Sequence, residues 1–503
     1  MRILFINFNI GSTPGINNGL AILSAVLKER KHEVKLLFIS DELDYGFDLK
    51  RIKQDILEFE PKLIGVSLME PQFKYMLKFC GKIREYYKEF IICGGPFPTM
   101  DPETVLSVNA VNAVCVGEGE YALCELVDAL QNNQNINDIR NLWVKTSDGA
   151  VVRNRLRPFV DIDKLPPDDK ELFDLEKILP LKSFQLETML GRGCIYKCSY
   201  CINDAYLFQY KKLGENSVTL KEYVRVKNID TAINELKNSI ANHAQIRKIA
   251  FIDDNFLFYG NFMSDFCEKY KKEIRLPFMC NANPLSFDLN KAKILKDAGC
   301  VDIRFGIESG SERVKREILR RPITNQRVIN AFDINRKLGM LTSTFNMIGL
   351  PTETKEEMLE TLKLNAFISP DTVKVMTFYP FKNTPIYSLC EKLNLINYKK
   401  KFNLDNYDTF TCLKFSVKHQ LYLKKVQAVF NWYLNLFFNR EAALRYSSLI
   451  KQVEGMTEKE WEEFDYCAVD KEISDKLRRK GVPHYSKFIN RSLSIKYPSG
   501  HFH

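Results

Sequence analysis

The chain has 503 residues, 45% of them apolar, 12% aromatic and 27% charged, a composition that buries a sizeable core and excludes disorder, collagen and coiled coil as overall classes. At about 100–200 residues per domain, the length predicts two to four domains. The 73 Lys and Arg residues against 63 Asp and Glu give a net charge of +10, too mild an excess over so long a chain to argue for a nucleic-acid partner.

The opening MRILFINFNI carries one Arg and an apolar run broken by Asn7 and Asn9, with no small-residue cleavage site, and predicts a first strand rather than a signal peptide. ILFINF, VKLLFI, LIGVSLM, FIICGG and NAVCVGE are short, β-rich and nearly continuous in hydrophobicity, as strands buried on both faces are. Helical patterns lie between them. This βαβα order over residues 1–135 demands a parallel sheet of Rossmann-like or flavodoxin-like type, with ligands at the carboxyl ends of the strands. Residues 136–183 read as a linker with a small hairpin at the Asp-Gly of TSDGAVV.

A second βα series follows over 184–398. ETMLGRG, KIAFIDDNF, LPFMCNAN, VDIRFGIESG, STFNMIGLP and TVKVMTFYP each end in polar, Gly or Pro residues, and indicate a partial (β/α)6 TIM-type barrel with its chemistry at the C-terminal strand ends. Residues 399–503 read as a mainly helical region with a basic tail (Lys476, Arg478, Arg479, Lys480, Lys487, Arg491, Lys496). That tail is either a solvated face or a surface for an anionic group. The most apolar run, Val426 to Asn439, is shorter than the roughly 20 residues of a membrane helix and predicts a buried helix, the alternative being an apolar surface for a membrane or a greasy substrate.

Thirteen cysteines, an odd number with a single dense cluster, point away from a secreted disulfide framework and toward a reducing cytoplasm with a metal site. The cluster is GRGCIYKCSYC: Cys194, Cys198 and Cys201 on one short loop after the first barrel strand. Three thiolates suit three irons of a [4Fe-4S] cluster, with the fourth iron open. Zinc asks for four ligands, and Cys124, Cys267 and His243 lack paired spacing.

The C-x3-C-x2-C pattern with Tyr200 before the last Cys resembles the signature of the radical S-adenosylmethionine (SAM) enzymes. The resemblance implies that Cys194, Cys198 and Cys201 ligate the cluster, that the open iron takes the amino and carboxylate groups of SAM, and that Tyr200 packs near the adenine. FIDDNF, with Asp253 and Asp254, stands where the family often touches the methionine amino group, helix capping being the alternative. GIESG places Glu308 and Ser309 at the end of the fourth barrel strand, suited to the cosubstrate or else to a structural pair with Arg304. NMIGLP would offer backbone at Ile348 and Gly349 to adenine, and MTFYP would close the pocket with Phe378 and Tyr379.

The first domain is similar to the cobalamin-binding domains of the same superfamily. Its implied cobalamin contacts are Thr13, Pro14 and Gly15 after the first strand, Ser67 and Met69 after the third, Gly94, Gly95 and Pro96 after the fourth, and Gly117, Glu118 and Gly119 after the fifth. One departure stands out. The Asp-x-His-x-x-Gly segment that supplies a lower axial His is missing; the histidines are at 32, 243, 419, 484, 501 and 503, and the place of His32 between a helix and a strand is structural.

The resemblance therefore implies a cytoplasmic enzyme using a [4Fe-4S] cluster, SAM and cobalamin. It would generate a 5'-deoxyadenosyl radical, with electrons from a flavodoxin or ferredoxin, and methylate an unactivated carbon or phosphorus of a small-molecule, lipid or peptide substrate. The alternatives are a radical cyclisation or rearrangement without methyl transfer and a non-catalytic cofactor sensor. A tRNA methylthiotransferase is disfavoured, because Cys80, Cys93, Cys115 and Cys124 do not form the further cysteine set of that family.

Overall fold

The computed structural model describes residues 1–214, 218–403, 411–488, 490 and 492–498. In its first sheet, β1 (Arg2–Phe8), β2 (Glu33–Ile39), β3 (Leu63–Ser67), β4 (Phe90–Gly94) and β5 (Ala113–Cys115) run parallel in the order β2-β1-β3-β4-β5. Their apolar character on both faces follows from helices packed on both: Ile3 and Phe5 enter one core, Leu4, Ile6 and Phe8 the other. Gly65 lets β3 close on β1, since an added Cβ would stand 2.8 Å from the Phe5 ring. The chain reverses its direction of progress between β1 and β3, and the crevice at such a switch point is where open α/β sheets take ligands.

The stretch 136–183 is more than the linker its composition predicts. Its hairpin, β6 (Leu142–Lys145) and β7 (Val151–Arg153), turns where Gly149 takes a φ of 86°, as the Asp-Gly pair predicts, and then pairs antiparallel with β5 to make a seven-stranded sheet. It covers the edge that β5 would otherwise expose.

After β8 (Gln185–Thr188) comes a two-stranded ribbon of β9 (Gly191–Arg192) and β10 (Arg225–Val226). The parallel strands then continue in chain order, β8-β11-β12-β13-β14-β15, with β11 (Lys248–Phe251), β12 (Phe278–Ala282), β13 (Cys300–Glu308), β14 (Leu341–Ile348) and β15 (Thr372–Thr377). This is the partial barrel that the six apolar runs predict. One continuous apolar core joins Ile3 and Leu20 of the first domain to Leu186 and Ile233 of the barrel, so the two domains share an interior.

The C-terminal region is helical but also ends in strands, β16 (His484–Ser486) and β17 (Ser494–Tyr497), with β17 antiparallel on β15. The aromatic run forms the helix Phe430–Phe438, whose Phe430, Trp432 and Leu434 are fully buried. Most of the basic tail has partners within the protein, while Arg479 is exposed. Lys476 pairs with Glu472, Lys480 with Glu441 and Lys496 with Asp371. Arg478 lies over the Phe488 and Tyr497 rings, and buried Lys487 caps carbonyls of Gln427 and Ala428 at a helix end. Arg491 lies outside the described residues. Among those described, no helix is long and apolar enough to cross a membrane.

Candidate functional site

The thiol loop 194–201 leads from β9 into the helix Ile202–Leu213, with Cys201 at the helix N-cap. Gly193 makes the approach, at a φ of 88° with an added Cβ only 2.6 Å from the Tyr223 carbonyl oxygen. The loop is pinned from below: Ser199 N–H donates to Leu319 O at 2.9 Å, and Ser199 O accepts from Ile386 N–H at 3.1 Å. Cys198 is buried, Cys194 and Cys201 are half-buried, and all three thiols are free. Burial pushes Cys194 up to about 11 and Cys201 up to about 12, so iron binding must displace their protons. Among the described residues no three Cys, His, Asp or Glu side chains converge on a single ion. A mononuclear site requires such convergence; a cluster, which takes one thiolate per iron, does not.

The residues predicted to hold SAM divide into two groups. Tyr200, Glu308 and Asp254 surround the thiol loop. Glu308 ends β13 at a φ of 67°, rare for a side-chain-bearing residue, and its carboxyl is pushed up by burial, against the pull of Arg321 and the Tyr200 hydroxyl. Its partner is thus Arg321, not Arg304, which faces Asp302 at 3.9 Å. Asp254 is accessible to the cavity described below yet enclosed by its walls, and that enclosure raises its pKa despite a hydrogen bond with Asn203.

Asp253, Ser309, Ile348, Gly349 and Phe378 have protein partners of their own. Asp253 is fully buried and accepts from Leu190 N–H at 3.0 Å, Gly191 N–H at 2.8 Å and the Tyr259 hydroxyl at 3.0 Å, behind the wall that Asp254 lines. Ser309 bonds within the strand end, to Ser311 N–H at 3.2 Å. The Ile348 side chain packs among the C-terminal helices and its carbonyl accepts from Phe378 N–H at 2.9 Å. Gly349 N–H donates to Glu353 at 2.7 Å. Phe378 is buried packing beside Met347 and Leu350.

A cavity of about 780 Å³ opens where the carboxyl ends of the first sheet meet the segments flanking the thiol loop, within the ~300–1,000 Å³ of ligand sites. Thr13, Gly15, Ser67, Met69, Gly94, Gly95, Pro96, Gly117, Glu118 and Gly119 all stand in its wall; Pro14 is buried beside it. On the barrel side Gly193, Ile202 and Asn203, immediate neighbours of Cys194 and Cys201, complete it. The first-sheet side suits a bulky ligand. An added Cβ on Gly94 would meet nothing nearer than Cys115 at 3.8 Å, and Gly95, at a φ of 100°, runs 3.1 Å from Leu68 O by the same test. No histidine lines the cavity among the described residues, and His32 is buried near the N-terminus and Asp128, as its place in the sequence predicts.

Residues 188–364 match the radical SAM superfamily, and residues 11–127 match the B12 binding domain. The chain is a radical SAM enzyme with a B12-binding domain. It is 28% identical over 408 residues to an uncharacterized methyltransferase, PH0819, of Pyrococcus horikoshii, covering 78% of this chain and 83% of that one. It is 23% identical over 387 residues to the cytidylyl-2-hydroxyethylphosphonate methyltransferase of Streptomyces wedmorensis, covering 66% and 68%. Its fold is similar to that of OxsB, a cobalamin-dependent S-adenosylmethionine radical enzyme solved with aqua-cobalamin bound, with a TM-score of 0.68 at 18% identity over 95% of this chain and 75% of that one.

Two seams hold the domains of this radical SAM enzyme together, and neither is visible in local sequence. Glu118 spends its side chain on one of them: it accepts from Arg192 at 2.9 Å, Arg225 at 2.7 Å and Val160 N–H at 2.7 Å, while Glu120 pairs with Arg192 at 2.6 Å. Burial opposes ionisation of Glu118, but the two guanidiniums hold its carboxyl below the usual range. Its carboxylate thus bridges the domains, while the residue also stands in the cavity wall. The second seam is the buried pair of Glu70, after β3, with Lys401, which also meets the Tyr379 hydroxyl at 3.2 Å.

Proposed function

We propose that this enzyme is a cobalamin-dependent methyltransferase that acts on an unactivated carbon or on phosphorus. The observation that carries the reading is the single cavity walled on one side by B12-binding strand ends and on the other by the neighbours of Cys194 and Cys201. When bound, the cluster, SAM and cobalamin supply one-electron and methyl-transfer chemistry that side chains lack.

The chain's own part is to bind, orient and seal. Cys194, Cys198 and Cys201 hold three irons and leave the fourth to the cosubstrate, which Tyr200, Glu308 and Asp254 border. Ser67, Gly94 and Gly95 would seat the macrocycle through space and backbone, in a cavity that no histidine lines among the described residues. Glu118, Glu120, Arg192 and Arg225 keep the domains joined, so that the reacting volume excludes water. The substrate belongs to the small-molecule, lipid or peptide classes, and the reductant is a flavodoxin or ferredoxin.

The test is anaerobic reconstitution with iron, sulfide and hydroxocobalamin, followed by mass spectrometry against candidate lipids, peptides and metabolites with SAM deuterated at its methyl group. A product carrying a deuterated methyl is expected. A cyclised or rearranged product without it would overturn methyl transfer while leaving the radical chemistry standing. A nitrogen coupling in the paramagnetic spectrum of the Co(II) form would overturn the expectation that no protein histidine ligates the cobalt.

A further inference from the structure

Arg321 lies against the thiol loop, 123 residues from Cys198 in sequence, and is only 8% exposed. Its Nη2 donates to Gly306 O at 2.7 Å, while its Nη1 stands 3.6 Å from Cys198 Sγ and 3.5 Å from the Tyr200 hydroxyl. Its Nε is buried with no hydrogen-bond partner. The backbone N–H of Arg321 donates to Lys315 O at 2.7 Å, which anchors the side chain's root.

A guanidinium cannot shed its proton in a protein, so this is a permanent buried charge, and burying an ion costs several kcal/mol unless a counter-charge meets it. Yet among the described residues Arg321 makes no ion pair within 4.0 Å; Glu308 acts on it only from farther off. Its fork is spent on one carbonyl, one sulfur and the Tyr200 hydroxyl, and with Glu308 standing beyond ion-pair distance it has no countercharge at contact. A thiolate carrying iron supplies it.

We propose that Arg321 is a positioning residue acting through Cys198: its guanidinium donates to the ligand sulfur, orients it, and raises the reduction potential of the cluster held there. Hydrogen bonds to cluster sulfurs and nearby charge are the levers a protein has over that potential, and a fixed cation favours the more negative, reduced form. This rests on the reading that Cys194, Cys198 and Cys201 hold a [4Fe-4S] cluster.

The test uses the full chain, reconstituted anaerobically without SAM, and a redox titration followed by electron paramagnetic resonance. Wild type, Arg321→Met and Arg321→Lys are compared at matched iron content. In Arg321→Met the midpoint is expected to fall by at least a tenfold change in the one-electron equilibrium, about 59 mV. Arg321→Lys, which keeps the charge and loses the fork, is expected to fall less. Should Arg321→Met not hold iron, Arg321→Gln, neutral but still a donor, carries the same expectation and the same refutation. A midpoint unmoved in the neutral variants overturns the proposal, all the more if SAM affinity falls instead, since the guanidinium would then serve the cosubstrate. Failure of the wild type itself to assemble a cluster would sink the underlying reading and not this step alone.

Discussion

The two walls of the cavity are built from opposite materials. The first sheet brings glycine, backbone amide and hydroxyl at Ser67, Gly94, Gly95 and Gly117; on the other side, behind the lining residues Gly193, Ile202 and Asn203, the barrel brings thiols and buried charge at Cys194, Cys198, Cys201, Glu308 and Arg321. The difference follows from what each must hold. A large ring is gripped by shape, which asks for side chains to be absent. An iron centre is gripped by donors and tuned by charge, which asks for particular atoms at particular places.

The sharpest way to break this contrast is at the thiols. Cys198→Ala should leave the fold intact and abolish both cluster assembly and formation of 5'-deoxyadenosine, read as iron content and as product by chromatography. Retained turnover in that variant would end the assignment of the loop.

Next in size is the second seam, between the first domain and the C-terminal region. Lys401 and Glu70 are buried together, with Lys401 4.6 Å from the centre of the Tyr379 ring. Lys401→Met should destabilise the chain by about 3–5 kcal/mol, the usual result of stranding one member of a buried pair. Burial already raises the Glu70 pKa against the pull of Lys401, so without the Lys it rises further. A carboxyl whose pKa is raised by folding favours the fold at low pH and costs stability as pH climbs through that pKa. The defect should therefore shrink on acidification and be largely reversed by the double variant Glu70→Gln/Lys401→Met, as read by denaturant midpoints.

A smaller effect separates the walls directly. Gly95→Ala forces a Cβ onto a φ of 100° and to 3.1 Å from Leu68 O. Strain of this kind costs on the order of 1–3 kcal/mol, so cobalamin uptake should weaken roughly tenfold or more, while iron content stays at the wild-type level. If both cofactors are lost together, the walls are not independent.

How much of this was legible in the chain follows the same division. The parallel strands of both sheets show as apolar runs because most are covered by helices on both faces, and the cavity's glycines show because they sit just past those runs, whereas β16 and β17 do not show. What a side chain does once the chain has folded is hidden. Glu118 reads as part of a Gly-rich ligand loop, yet its partners Arg192 and Arg225 stand 74 and 107 residues away. The hairpin shows in Asp148-Gly149, but not which edge it joins, since that depends on β5 lacking a neighbour. Arg321 carries no local signal; only the burial of a cation near a strand end marks it.

Asp253 and Asp254 show the limit at single-residue scale, and the smallest predicted effect tests it. Adjacent in sequence just past the end of β11, one is a strut behind the barrel wall and the other faces the cavity, and the sequence does not say which of the two points inward. Burial pushes the Asp253 carboxyl up to about 6 despite the donors of Leu190, Gly191 and Tyr259. Its unfolded value is about 3.9, so its contribution favours the fold fully below pH 4 and is lost as pH rises through 6. Asp253→Asn removes that titration. Relative to the variant, the wild-type chain should lose up to about 1.4 kcal/mol per pH unit across that window and then run parallel to it above pH 7, as measured by urea midpoints at pH 4.5, 5.5 and 7.5. Turnover near pH 7.5 should change little, because the Asp253 carboxyl is spent on Leu190, Gly191 and Tyr259; a collapse of turnover with stability intact would place this carboxylate at the cosubstrate instead, whereas Asp254→Asn is expected to impair SAM binding.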